Sequence, residues 1–163
     1  MPAPLWPAVV CACVLTAACG GQLPTSADSP EALARAVLDA VARRDEAALR
    51  RLALDEQEFR AHVWPELPVS RPERNMPFSY VWTDLRTKSD AGLQGVLLAH
   101  GGRTYALEKI GFAGGTTQYQ TFVVHRESTL EVRDGEGRHE TLQLFGSVIE
   151  KSGRFKVFSF AID

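Results

Sequence analysis

The hydrophobic period of this chain changes at Gly101 and Gly102. Before this pair, apolar residues recur every three or four positions, which is typical of helices that bury one face. After the pair, apolar and polar residues alternate over short runs separated by glycine-rich turns, which is typical of antiparallel strands. A helical half followed by a strand half predicts an α+β domain, with N-terminal helices packed on an antiparallel sheet.

Polar caps and prolines divide the helical half, which extends over about 29–100. Ser29 precedes a proline and a glutamate, a combination that predicts the first turn of a helix. Asp45 stands where it can cap a second helix, and a third helical piece is predicted from Asp55 to about residue 64. Four prolines over residues 65–77 predict a loop, and the apolar spacing that follows predicts one long helix to about residue 100.

The strand half divides into four runs joined by short turns. The runs cover residues 104–112, 117–133, 139–150 and 155–162, with turns at 113–116, 134–137 and 152–153. Short turns join neighbouring antiparallel strands, so the sequence predicts one curved, four-stranded meander over about 103–162. Apolar residues on both faces of the last run predict a second cover for the sheet, for which a homodimer partner is one candidate.

The N-terminal segment contains all three cysteines, Cys11, Cys13 and Cys19. An apolar run over residues 8–18 is shorter than the ~20 residues that span a bilayer and has the length of a secretory signal core. Its end, LTAAC at residues 15–19, resembles the lipobox of bacterial lipoproteins. This resemblance implies a signal peptide over 1–18 and an acylated Cys19 that anchors the protein to a membrane. An ordinary secretory signal cut near residue 18 is the alternative.

The residues after Cys19 give the predicted anchor a location and a length. Gly20 stands where an aspartate would retain such a lipoprotein in the inner membrane of enterobacteria, so the resemblance implies the outer membrane, facing the periplasm, in a Gram-negative cell. Residues 19–28 are polar and rich in Gly, Ser and Pro, which predicts a flexible tether. Residues 29–163 are then predicted to form a single α+β domain, which the resemblance to lipoproteins places in the bacterial cell envelope.

Composition excludes several functional classes. The formal net charge of −2 does not fit a nucleic-acid-binding surface. Because no cysteine follows Cys19, the folded domain has no disulfide, catalytic thiolate or cysteine zinc site. The four histidines are far apart in the sequence and match no metal motif. The sequence therefore predicts neither a metal nor a cofactor.

The order of elements is similar to the cone-shaped fold of the nuclear transport factor 2-like, or cystatin-like, superfamily. Residues 29–53, SPEALARAVLDAVARRDEAALRRLA, look like the first helical pair of that fold. The segments FAGGTTQY, HRESTLEVRD, LFGSVIE and KVFSF also resemble parts of bacterial envelope lipoproteins. The superfamily includes enzymes such as ketosteroid isomerase as well as non-catalytic binding domains. Residues 29–58 contain no tyrosine that matches the isomerase, so the resemblance does not extend to that chemistry.

The predicted strand at 117–133 carries the candidate catalytic and anion-binding groups. His125 and Glu127 alternate onto one strand face, where an imidazole and a carboxylate can act as an acid/base pair. An exposed polar stripe is the alternative interpretation of the same residues. Arg126 interrupts the opposite, apolar face, and a buried arginine needs either a carboxylate partner or an anionic ligand.

Two functions fit these observations. In the first, a non-catalytic, lipid-anchored domain binds a small apolar molecule or a protein partner, with Tyr80, Trp82, Arg126 and Tyr119 as candidate pocket residues. In the second, a small envelope lyase or isomerase uses His125 with Glu127 or Asp84 as acid/base residues. Both helix residues also have a structural interpretation, in which Trp82 belongs to the core and Asp84 lies on the surface or caps the helix.

Overall fold

The computed structural model describes residues 23–162, so the predicted signal peptide and Cys19 lie outside the described residues. Within this range, four α-helices precede seven β-strands, which confirms the predicted α+β class. The elements are α1 Pro30–Ala42, α2 Glu46–Leu52, α3 Glu56–Glu58, α4 Phe78–His100, β1 Tyr105–Phe112, β2 Thr116–Gln118, β3 Val123–His125, β4 Ser128–Asp134, β5 His139–Leu142, β6 Ser147–Lys151 and β7 Arg154–Ser159.

Both predicted helix caps, at Ser29 and Asp45, are confirmed, and the structure adds a third at Asp55. The Ser29 hydroxyl accepts a hydrogen bond from the Ala32 N–H at 3.1 Å, and the Asp45 carboxylate accepts one from the Ala48 N–H at 2.9 Å. Asp55 and Glu58 form a reciprocal capping box at the start of α3. Each cap satisfies backbone donors that the first helical turn leaves without partners.

The four-proline segment is a series of short turns. Helix α3 continues into a π-helical turn, and three 3-10 turns then lead to α4 (Phe59–Val63, Trp64–Glu66, Pro68–Ser70 and Pro72–Arg74). Each 3-10 turn has a proline in its first positions, where the missing N–H costs no hydrogen bond. This segment places aromatic side chains under the N-terminal half of α4.

Helix α4 is the predicted long helix, and Gly92 has a packing role within it. A Cβ at Gly92 would lie 2.0 Å from the carbonyl oxygen of Phe160, so only glycine permits this approach. The Phe160 N–H also donates to the Ser89 hydroxyl at 3.0 Å. The residues after β7 are therefore held directly against the middle of α4.

The strands form two antiparallel sheets, so the prediction of one four-stranded sheet is wrong. The first sheet has the order β1-β4-β5 and the second has the order β2-β3-β6-β7. The predicted run 117–133 contains the end of β2, all of β3 and all but the last residue of β4. Its first reversal lies at the hydrogen bond from the Tyr119 N–H to the Phe122 carbonyl, which measures 2.9 Å. The predicted turn at 113–116 is present at residues 113–114, but it does not join two paired strands. It belongs to a bend at which the chain passes from the first sheet to the second.

Backbone hydrogen bonds continue across the bend between the sheets. The Ala113 N–H donates to the Glu127 carbonyl at 2.9 Å, and the Ser128 N–H donates to the Gly146 carbonyl at 2.8 Å. The chain therefore runs as four bent arms in meander order: β1 with β2, β3 with β4, β5 with β6, and β7. Glu127 adopts a left-handed φ of 55°, and a Cβ at Gly146 would lie 2.0 Å from the Ala161 carbonyl oxygen.

Two hydrophobic clusters hold these layers together. The first packs α1 against both sheets and includes the buried Val148 and Val157. The second lies under α3 and the proline segment and includes Phe59, Phe122 and Ile149. Residues of the same chain therefore cover both faces of the second sheet, and the homodimer stays a prediction.

The described part of the predicted tether, residues 23–28, packs against the fold. Leu23 is 2% exposed, and Ala27 exchanges two backbone hydrogen bonds with Phe155 of β7, at 2.8 and 2.9 Å. The Arg154 side chain binds the Ser26 carbonyl and the Asp28 carboxylate. The prediction of a flexible tether is therefore wrong for these residues. The segment instead pairs with the open edge of β7.

Candidate functional site

His125 forms an imidazole–carboxylate pair, but its partner is Glu150 and not the predicted Glu127. The His125 Nε2 lies 2.8 Å from the Glu150 Oε2, with side-chain exposures of 19% and 34%. In the β3–β6 register, Val123 pairs with Glu150 and His125 pairs with Val148. His125 and Glu150 are therefore diagonal neighbours on one sheet face, where long side chains are within reach of each other.

Glu127 is separated from this pair by the bend. Its side chain is exposed, and its left-handed backbone ends the alternation that would have placed it beside His125. Arg126 is also exposed, and its guanidinium donates to the Gly114 carbonyl at 2.8 Å. The prediction of a buried Arg126 is therefore wrong, because the bend turns its side chain towards solvent.

The His125 ring is held on both sides and at both nitrogens. Its centroid lies 5.0 Å from the Phe112 ring and 6.3 Å from the Phe155 ring. The Nδ1 lies 3.4 Å from the Thr116 Oγ1 on β2, a weak contact compared with the one to Glu150. A hydroxyl, an imidazole and a carboxylate thus lie in a row across three strands, an arrangement that can transfer a proton.

A separate cleft of about 320 Å³ lies between α4 and the C-terminal end of β7. Its apolar lining includes Phe59, Val81, Leu85 and Phe158. Its polar lining includes Asp84 and Lys88, whose side chains form an ion pair at 2.8 Å with exposures of 52% and 64%. The cleft therefore combines an apolar surface with one exposed acid and one exposed base.

The predicted pocket residues do not converge in this cleft. The Trp82 ring packs 5.4 Å from that of Phe59. The Tyr119 ring stacks 4.4 Å from that of Phe122 at the hairpin tip, which is the turn at residues 119–122 between β2 and β3. Tyr80 is 64% exposed and borders a shallow depression on the outer side of α4. Among the predicted site residues, Asp84 is the one that lines the cleft, and it also borders the shallow depression.

Glu66 fastens the hairpin tip to the proline segment, a contact that the sequence reasoning missed. Its carboxylate accepts hydrogen bonds from the Gln120 N–H at 2.6 Å and the Thr121 N–H at 3.2 Å. Burial raises the pKa of Glu66, but hydrogen bonds from Thr121 and Gln120 lower it, and the net shift is downward. Lys151 donates to the Thr121 hydroxyl at 2.9 Å and completes the arrangement.

A second missed feature is the buried ion pair between Lys156 and Glu58. The Lys156 Nζ lies 2.6 and 2.7 Å from the two carboxylate oxygens, and these side chains are 3% and 5% exposed. The same ammonium group donates to the Pro24 carbonyl at 2.9 Å. This pair connects the N-terminal segment, α3 and β7 in the interior. The signal in the sequence was a lysine that interrupts the apolar last strand.

His100 and Tyr105 join the end of α4 to the start of β1. The His100 Nδ1 and the Tyr105 hydroxyl are 2.9 Å apart. Burial lowers the pKa of His100, and the nearby Arg103 lowers it further, whereas burial raises the pKa of Tyr105. Both groups are therefore held in their neutral forms at neutral pH.

Within residues 23–162, no three His, Cys, Asp or Glu side chains are grouped so that they could hold a metal ion. In the same described range, no helix has both the length and the apolarity needed to cross a bilayer. Comparisons with protein-family models, with curated proteins and with solved structures found no match.

Proposed function

We propose that this protein is a lipid-anchored, non-catalytic domain of the bacterial cell envelope that binds a small apolar ligand in the cleft between α4 and β7. The observation that carries this proposal is the partly exposed apolar lining of the cleft. Its volume of about 320 Å³ is at the lower end of the ~300–1,000 Å³ that small-molecule sites occupy. The occupant is therefore a compact molecule.

The charged pair of the cleft gives this ligand a second property. Asp84 and Lys88 lie one helical turn apart and neutralise each other across 2.8 Å. A ligand carboxylate can bind Lys88, or a ligand amine can bind Asp84, because both side chains are more than half exposed. A small apolar body with one polar end fits this arrangement.

A fluorescence titration with a naphthalene dye such as N-phenyl-1-naphthylamine tests the site. Leu85→Gln places an amide in the apolar lining, and we expect several-fold weaker dye binding. Leu98→Gln is the matched control, because Leu98 lies on the same helix, is 88% exposed and is not among the residues that line the cleft. Equal dye binding by the two folded variants would refute the proposal.

The proposed membrane location is supported by the LTAAC segment that ends at Cys19. Metabolic labelling with an alkyne fatty acid should acylate the wild-type chain and leave Cys19→Ser unlabelled. The variant should also move from the membrane fraction to the soluble fraction. Equal labelling of both chains would exclude the lipoprotein assignment.

A second candidate function is acid/base catalysis by His125, favoured by its 2.8 Å contact with Glu150. A lyase or isomerase would use the imidazole as a base, with the carboxylate orienting the ring. Solvent deuterium exchange into small cyclic ketones, followed by NMR, measures this reaction. If the wild-type chain accelerates exchange and His125→Gln does so equally, this candidate is excluded.

We also propose that the fold is an open variant of the nuclear transport factor 2-like cone. The support is the order of its elements, namely three helical pieces and a long helix followed by antiparallel arms that bend around the first cluster. Regular strand pairing is interrupted at the bend, so the arms of this chain form two sheets. An experimental structure in which the bent arms do not enclose the first cluster would contradict the assignment.

A further inference from the structure

The buried position of Leu23 limits how far the domain can move from an anchored Cys19. Leu23 is 2% exposed and packs in the second cluster with Leu54 and Phe59. Four residue steps separate Cys19 from Leu23. Even a fully extended chain of this length spans only about 14 Å. The packed residues 23–28 add nothing to this reach, because hydrogen bonds from Arg154 and Lys156 hold them on the fold.

This reach is short compared with the size of the domain. A compact domain of about 140 residues has a radius of gyration of roughly 14 Å, and hence a diameter of about 35–40 Å. The chain from Cys19 therefore cannot pass around the domain to let any face approach the bilayer. The face on which the N-terminal segment enters the fold must lie next to the lipid headgroups.

The residues around this entry point form a shallow groove. It is lined by Pro24 and Thr25 of the N-terminal segment, by Arg51 and Asp55 near α2, and by Arg86 of α4. We infer that, in the lipid-anchored protein, this groove faces the lipid surface. This inference rests on the proposed acylation of Cys19.

The hairpin loop after β4 lies beside the C-terminal end of α4, away from the groove. It shares a depression with Arg103, which follows the C-terminal end of α4. Fourteen residue steps separate Arg86 from His100 at that end of the helix. At about 1.5 Å per residue, the groove and this end of α4 are separated by roughly 21 Å along the helix axis.

Charge alone does not account for this orientation. Asp90 forms ion pairs with both Arg50 and Arg86 at the groove, and Glu58 neutralises Lys156. The cations at this face are therefore largely balanced by carboxylates of the same chain. We expect the orientation to depend on the short connection to Cys19 and to be the same on zwitterionic and anionic lipid.

Single-cysteine variants can measure the orientation, since residues 20–163 contain no cysteine and acylation consumes the Cys19 thiol. Arg51→Cys places a probe at the groove, and Gly135→Cys places one on the far hairpin, where a new Cβ meets nothing within 4 Å. The acylated variants carry an environment-sensitive dye and are reconstituted into vesicles that contain a lipid with a nitroxide headgroup. We expect quenching to be several-fold stronger at residue 51 than at residue 135.

A longer connection provides the matched control. An insertion of about ten Gly and Ser residues between Gln22 and Leu23 raises the maximum reach to roughly 49 Å, which exceeds the diameter of the domain. This variant should stay on the vesicles and lose the difference between the two probe positions. The experiment is repeated in phosphatidylcholine vesicles with and without phosphatidylglycerol.

The outcomes separate this inference from the proposed function. Equal quenching at the two positions in the acylated wild-type background overturns the orientation and leaves the lipid anchor intact. A difference that requires phosphatidylglycerol, or that survives the insertion, overturns the short connection as its cause. Failure of Cys19 to become acylated overturns both the proposed address and the orientation.

Discussion

The buried pair Lys156–Glu58 permits a prediction whose magnitude follows from its geometry. Lys156→Met preserves most of the side-chain volume and leaves the Glu58 carboxylate without its cation, at a site that is 4% exposed. Removing one member of a buried ion pair costs about 3–5 kcal/mol. Domains of this kind have a free energy of unfolding of about 5–15 kcal/mol, so the variant should lose a third or more of a mid-range value.

A double-mutant cycle separates the interaction from the general cost of mutating the core. In the wild-type chain, the Glu58 carboxylate accepts a hydrogen bond of 2.9 Å from the Asp55 N–H. In Glu58→Gln, the amide oxygen can still accept this bond. The double variant Lys156→Met, Glu58→Gln has no buried charge at this site. We expect it to be more stable than either single variant, which requires a coupling energy larger than the loss in the less stable single variant, that is, above about 3–5 kcal/mol.

Urea unfolding of the mature chain carrying Cys19→Ser, followed by tryptophan fluorescence, provides the measurement. The exposed pair Lys109–Glu131 is the control, because its side chains are 67% and 55% exposed and 3.3 Å apart. The same cycle there should give a coupling of about 0–1 kcal/mol. Additivity at Lys156 and Glu58 within about 0.5 kcal/mol would refute the assignment of a strong buried interaction.

Three further predictions concern separate parts of the fold. The Asp134 carboxyl should titrate near its lowered pKa of about 2, because the Arg138 backbone N–H and guanidinium donate hydrogen bonds to it. Its contribution to stability is then present above about pH 4 and is lost as the pH falls towards 2. An NMR titration that gives a pKa near 3.8 would contradict this prediction. Because burial lowers the pKa of His100 in the folded chain, His100 takes up a proton more readily in the unfolded chain. The urea concentration at the unfolding midpoint should therefore fall as the pH decreases below 6.5. An NMR titration that gives a His100 pKa at or above 6.5 would exclude this cause. Gly92→Ala should destabilise the fold by about 1–3 kcal/mol, because the new Cβ clashes with the Phe160 carbonyl oxygen. Gly95→Ala should stabilise the fold by about 0.5–1 kcal/mol, because nothing lies within 4 Å of its new Cβ. Urea unfolding of both variants measures the sign of each change.

The features predicted correctly from the sequence depend on neighbouring residues. The caps at Ser29 and Asp45 act on backbone groups three positions away, so the sequence pattern alone identifies them. The turn at residues 152–153 likewise needs two left-handed residues in succession, and it has them, with φ values of 52° and 71°. Local chemistry was therefore sufficient for the helix starts and for this turn.

The wrong predictions arise where distant parts of the chain determine the conformation. The run 117–133 has the alternation of one strand, but the Ser128 N–H that follows its bend pairs with the Gly146 carbonyl of the next arm, a partner that lies 18 positions away. The strand register then pairs His125 with a residue 25 positions away instead of its near neighbour Glu127. The Lys156–Glu58 pair spans 98 positions, and no local pattern indicates which acid a buried lysine will find.

The buried pair and the cleft share their framework, which links stability to ligand binding. Phe59 directly follows Glu58, and Phe158 lies two residues after Lys156 on β7. These two rings meet edge-on at 6.2 Å and line the cleft. Breaking the pair should therefore displace the cleft lining, and Lys156→Met should bind the naphthalene dye more weakly even without denaturant, where the variant remains folded. Lys109→Met should bind the dye as the wild-type chain does. Unchanged dye affinity in a folded, destabilised Lys156→Met would show that the pair supports the fold without positioning the cleft.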